Sequence, residues 1–191
     1  MKKRYILGAT LLTAASLSLT ACSSNSNSSS SKSTSTSSKV NKPMKVVPSA
    51  DAKNRTWTYK DKVFDAGIET YKFTKSEIRD SSTDGKKVLV LYCDVTNNSN
   101  KEQDPSNVYM VVHANQKTDS SDIQLDPGMA ALDDNGNDPL QTYDDNLNNK
   151  LLPGKTVKAC LVYELKNDNP VKVTFENPDF DVIGSETYQI K

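Results

Sequence analysis

The segment Lys87-Val88-Leu89-Val90-Leu91-Tyr92-Cys93-Asp94-Val95-Thr96 constrains the fold more than any other part of the chain. Leu89, Leu91, Cys93 and Val95 fall on one parity, and Val88, Val90 and Tyr92 on the other. Successive side chains of a strand point to opposite faces, so this strand needs at least partial cover on both sides, as a central strand does. Asn97-Asn98-Ser99-Asn100 ends it, and Asp84-Gly85 ahead of it signals a hairpin with the preceding run Ile68–Ile78. Thr56-Trp57-Thr58-Tyr59 reads as an earlier strand, and Asp65-Ala66-Gly67 as a turn. Val108–His113 is rich in β-branched and aromatic residues and reads as a strand, although Asp104 or Ser106 could cap a helix there. Ile123–Leu125 is short, and Asp133–Asn149 is polar and loop-like, with Leu140, Tyr143 and Leu147 as scattered anchors. Thr156–Leu165 alternates with one buried face, Val171–Phe175 returns, and Ser185–Ile190 supplies a last strand. With no convincing amphipathic helix beyond residue 53, the pattern is that of an antiparallel β-sandwich.

The N-terminal third does not belong to that domain. Lys2-Lys3-Arg4, an apolar run from Ile6 to Leu19, and then Leu19-Thr20-Ala21-Cys22 have the layout of a secretory signal. The cysteine directly after the small residue fits a bacterial lipobox, so residues 1–21 are expected to be removed and Cys22 to carry lipid. Gly8, Thr10, Thr13, Ser16 and Ser18 make the run too short and dilute for a membrane span. One thioether-linked diacylglycerol carries two acyl chains, which suffices for stable anchoring. Ser23–Ser38 holds only Ser, Thr, Asn and one Lys, and cannot bury enough apolar area to order itself. Residues 22–53 therefore read as a tether, and residues 54–191 as one domain of about 140 residues. The expected location is the outer face of the cytoplasmic membrane. Removing residues 1–21 takes Lys2, Lys3 and Arg4 from the chain's 24 basic residues against 24 acidic, leaving a net charge of −3. That balance offers no surface for nucleic acid.

Three stretches carry a family resemblance. They are Asp-Val-Thr-Asn-Asn-Ser at 94–99, Leu-Leu-Pro-Gly-Lys-Thr-Val-Lys-Ala leading to Leu-Val-Tyr-Glu-Leu over 151–165, and Gln103-Asp104-Pro105-Ser106-Asn107-Val108. Together they resemble the immunoglobulin-like (telokin-like) domains found in lipoproteins of low-GC Gram-positive bacteria, a group largely of unknown function. The resemblance runs from Trp57 to Phe175. It implies an immunoglobulin-like sandwich and supplies no catalytic residues.

The chemistry-bearing residues are sparse. His113 is the only histidine, no Gly-x-Ser-x-Gly elbow accompanies it, and Ser185 has no visible base. No carboxylate is placed where burial is expected to raise its pKa. Asp133–Asp138 invites a calcium reading, but with Gly136 at position 6 of a calcium loop, positions 1 and 12 fall on Ala131 and Thr142. A solvated acidic turn is the expectation, with a looser loop site that includes Asp144 and Asp145 as the alternative, and no metal or other cofactor is expected. Leu152–Thr156 is an internal strand-entry turn and not a sorting signal. Cys93 and Cys160 remain once Cys22 is lipidated. Their parities put Cys93 on the face of Leu89 and Cys160 outward with Lys158, so free thiols are expected; a bulge would instead allow a disulfide, contributing about 4 kcal/mol. The long segment Asp126–Asn149 carries Met129, Leu132 and Tyr143, either as a binding loop or as anchors of that loop on the sandwich. The expected activity is non-catalytic binding of an envelope protein, a wall polymer or a small ligand. A small envelope hydrolase and a structural lipoprotein without a ligand are the alternatives.

Overall fold

The computed structural model describes residues 47–190. Cys22, the signal segment and most of the expected tether lie outside these residues. Two antiparallel sheets form the domain. Strands β1 (Thr58–Lys60), β2 (Val63–Asp65), β3 (Glu69–Asp80), β4 (Lys87–Asn97) and β7 (Thr156–Glu164) lie side by side in that order. The second sheet has the order β6 (Asp122–Gln124), β5 (Val112–Lys117), β8 (Val171–Glu176), β9 (Val182–Tyr188). The expected β-sandwich is found.

The main core lies between the sheets. Phe64, Tyr71, Phe73, Leu89, Leu91, Val95, Leu161 and Tyr163 from the larger sheet join Val112, Val171, Val173 and Phe175 from the smaller. Leu91 and Leu161 are direct register partners on β4 and β7, as their alternating runs suggested. A second cluster covers the opposite face of the same strands. It holds Val88, Val90, Tyr92, Cys160, Val162, Ala130 and Leu140. The two-sided apolar pattern of β4 is thereby explained, with a second sheet on one side and a short helix and its connection on the other.

That helix, α1 (Gln141–Asn148), corrects the expected loop. Its composition is poor for a helix, but Leu140, Tyr143 and Leu147 stand at i, i+3 and i+7, one helical face. Leu140 and Leu147 are buried, and Tyr143 packs on Tyr92. The Asp138 carboxylate accepts from the Leu140 N–H at 2.7 Å and closes the turn that starts it. Packing against the sheet, more than propensity, holds this helix.

Three further differences are local. Val108–His113 is split: a 3-10 helix covers Pro105–Met110, its Asp104 side chain accepting from Ser106 N–H, and β5 begins only at Val112. Strand β2 carries no turn signal ahead of it, because its hairpin turn, Asp61-Lys62, holds both residues at positive φ without the usual Asn-Gly. The fold also starts before Asn54. A 3-10 turn spans Ala50–Asn54, Ala52 is buried, and Ser49 N–H donates to Asn98 O.

The outer edge of β7 is sealed without a strand. Val162 N–H donates to the Tyr109 hydroxyl, Gly128 N–H to Val162 O, Glu164 N–H to Asp126 O, and Asn146 Nδ2 to Lys158 O. Covering an edge in this way removes a template for unwanted pairing.

Candidate functional site

Where α1 stops covering the larger sheet, a groove of about 380 Å³ opens over Thr74, Lys75, Tyr92, Asp94, Tyr143 and Lys158. Its floor comes from β3, β4 and β7, and its wall from α1. The register of β3 slips between Phe73 and Lys75, which leaves Thr74 unpaired as a bulge. Thr74 Oγ1 donates instead to Tyr92 O at 3.2 Å. Bulges re-aim side chains and occur often beside binding sites. Here the bulge sets Lys75 over the Tyr92 ring, its Nζ 4.0 Å from the centroid. Tyr143 meets the same ring edge-on, with centroids 4.9 Å apart.

Charge around the groove is ordered by pairs. Glu77 accepts from Arg79 at 2.8 Å, from the Tyr92 hydroxyl at 2.8 Å and from Lys75 at 3.3 Å. The Arg79 guanidinium, foremost, holds the Glu77 carboxyl below its ordinary range. Lys158 pairs with Asp94 at 2.9 Å, and both are open to solvent on one side. The groove therefore offers an aromatic wall, two ammonium groups and the Asp94 carboxylate, with Glu77 behind Lys75 and Tyr92. It suits a polar ligand with an apolar face and contains no nucleophile paired with a base.

The anticipated residues are not brought together. Tyr143 lines this groove. Met129 and Leu132 are each 57% exposed, and Leu132 lies over Ile78, Arg79, Asp80 and Lys87, a different stretch of the same sheet. The binding loop expected from the three is thus divided: Tyr143 anchors α1, while Met129 and Leu132 project. Asp133 accepts from the Asn135 and Asn137 N–H groups and closes its own turn. Among the described residues there is no group of three His, Cys, Asp or Glu side chains that could hold a metal.

Cys93 and Cys160 are both free and both buried, so the alternative of a disulfide is not realised. Tyr92 is the register partner of Cys160 and Ala159 that of Cys93, which puts the sulfurs on opposite faces of the sheet. Cys160 does point away from the main core, but α1 buries it, with Sγ 3.7 Å from Asp144 Oδ1. Burial pushes the Cys93 thiol up to about 12 and raises Cys160 also, so neither is a ready thiolate. The His113 ring meets Gln124 at 3.2 Å and Glu176 at 3.6 Å, and among the described residues it bonds to no hydroxyl or thiol.

One group overturns the sequence reading of carboxylates. Glu69 is 4% exposed. It lies on the inward parity of Tyr71 and Phe73, and that parity was the available signal. Burial raises its pKa from the ordinary 4.5 to about 7, the Tyr71 hydrogen bond opposing the shift and the nearby Asp104 charge adding to it.

Residues 44–177 match the family described as Domain of unknown function (DUF5067), and the chain belongs to that family. Two solved structures share the fold. One, a protein classed as a lipoprotein from Staphylococcus aureus, is 16% identical, with a TM-score of 0.61 over 71% of this chain and 92% of that one. The other, solved by NMR from Enterococcus faecalis, is 21% identical, with a TM-score of 0.57 over 78% of this chain and 100% of that one. No curated protein matches the chain significantly.

Proposed function

We propose that this member of the DUF5067 family is an exported, lipid-anchored module that binds a polar ligand or partner at the cell envelope without catalysis. The observation that carries the reading is the groove between β3 and α1, where the bulge at Thr74 presents Lys75, Tyr92, Tyr143 and Lys158 on one open surface. Aromatic walls give a ligand apolar contact at little conformational cost, and paired charges at the rim select for polar groups. The lipobox at Cys22 and the lipoprotein class of the Staphylococcus aureus neighbour support the envelope location. A wall polymer or an envelope protein fits such a groove. A hydrolase would need a base beside a nucleophile, and among the described residues the His113 ring bonds to no hydroxyl or thiol.

The test compares the unaltered protein with Tyr143→Ala and Lys158→Glu for retention on purified wall material and on detergent-solubilised membrane protein. Loss of retention in both variants, with melting temperatures showing that they remain folded, is expected. Equal retention by all three proteins refutes the groove as the binding surface, and release of soluble wall fragments by the unaltered protein favours the hydrolase.

A further inference from the structure

The inward carboxyl of Glu69 sits in an arrangement that only one protonation state satisfies. Tyr71 Oη lies 2.9 Å from Glu69 Oε2 and 2.9 Å from the Pro105 carbonyl oxygen. A phenol has one proton and cannot serve two acceptors at once. Glu69 Oε1 is buried and has no hydrogen-bond partner. If Glu69 were ionised, the Tyr71 proton would turn to the carboxylate, the Pro105 carbonyl would lose its bond from Tyr71, and an unpaired charged oxygen would remain in the core. If Glu69 is neutral, its own proton donates to Tyr71 Oη, and Tyr71 donates to Pro105. The chain then runs in one direction with every donor used, and Oε1 is left as an uncharged oxygen. Leaving a neutral acceptor unpaired costs far less than leaving a charge unpaired.

The surroundings favour the neutral form. The charged or titratable groups facing the pair are Asp104, at the cap of the 3-10 helix, and the raised thiol of Cys93 on β4. Asp104 is itself held by Lys150 at 3.1 Å. The register partner of Glu69 on β4 is Asn97, which is uncharged and committed to Lys101 O and Leu151 O.

We propose that Glu69, Tyr71 and the Pro105 carbonyl form a proton-operated latch, closed while Glu69 is neutral and loosened when it ionises. The latch ties β3 of the larger sheet to the 3-10 helix that leads into β5 of the smaller one. It stands at the end of the sandwich where the described chain enters, since Asn98 N–H donates to Ile68 O and Ser49 N–H to Asn98 O. That end of the domain is held most firmly in mildly acidic surroundings.

The sign follows from linkage. In the unfolded chain Glu69 releases its proton near the ordinary value of 4.5, whereas the folded chain keeps it up to about 7. Between those values the folded state binds more protons, so its stability falls as pH rises and levels off above 7. The experiment follows thermal or denaturant unfolding of the full chain and of Glu69→Gln from pH 4.5 to 8. The side-chain amide of that variant reproduces the neutral donor and does not titrate. The unaltered chain is expected to lose a factor on the order of 100 in its folding constant, relative to the variant, across that window. Identical pH profiles overturn the proposal. If Glu69→Gln does not fold, a carbon-13 carboxyl titration of the unaltered chain decides: a Glu69 midpoint near 7 supports the latch, and a midpoint below 5 overturns it.

Discussion

Replacing Leu161 by Ala tests the packing on which the sandwich depends. Leu161 is fully buried in the main core and stands directly opposite Leu91, which is 1% exposed. The change removes three carbon groups, worth about 2.5 kcal/mol in transfer from water at ~0.8 kcal/mol each. A cavity penalty adds to this, because β4 and β7 are paired over nine register positions from Val88 to Thr96 and cannot close over the gap. The expected loss is about 3–4 kcal/mol. For a domain of about 140 residues that corresponds to a fall of roughly 10 °C in melting temperature. Urea unfolding followed by circular dichroism measures the loss, and an unchanged denaturant slope shows that the comparison is sound. Leu152→Ala is the control: Leu152 is 51% exposed, and its loss is expected to stay within about 0.5 kcal/mol. The double variant Leu91→Ala/Leu161→Ala is expected to cost less than the sum of the two single losses, by at least about 0.5 kcal/mol, since the two cavities merge. A Leu161→Ala loss no greater than that of Leu152→Ala would refute the assignment of faces on β7.

Phe180 holds φ 63 at the tip of the β8–β9 hairpin and is 67% exposed, so Phe180→Gly is expected to stabilise the domain by about 0.5–1 kcal/mol in the same unfolding assay; a loss would mean the ring makes contacts that hold the turn. In a Cys22→Ala background, neither Cys93 nor Cys160 is expected to react with a thiol reagent at pH 8 until denaturant is added, and prompt labelling of Cys160 would show that α1 lifts from the sheet. Cys22→Ala is expected to release the protein from the membrane fraction, with fractionation and mass spectrometry as the check, and unchanged retention would refute lipid anchoring.

Much of the fold was legible along the chain because its causes are local. Period-two alternation in 87–96 and 156–165 put Leu91 and Leu161 on one face, and the strand register paired them. The Asp84-Gly85 signal did mark the β3–β4 hairpin, with Gly85 at φ 71. The same alternation set the two thiols on opposite faces, so their failure to pair needed no long-range information. The family resemblance in 94–99 and 151–165 led to a group of unknown function, where the chain does belong.

Other features exist only because distant segments meet. Gln141–Asn148 has few strong helix formers, and it is helical because Leu140 and Tyr143 find an apolar sheet face to cover while Leu147 joins the main core. That contact buries Cys160, whose sequence neighbours Lys158 and Glu164 pointed to solvent. The groove needs the bulge at Thr74, the ring of Tyr92 and the wall of α1 together, and these lie on three separate elements. Glu69 is an ordinary carboxylate in the unfolded chain. Its pKa rises only when β3 meets the 3-10 helix at Pro105 and water is excluded from both, because desolvation acts on a charge through everything packed around it, near or far in sequence.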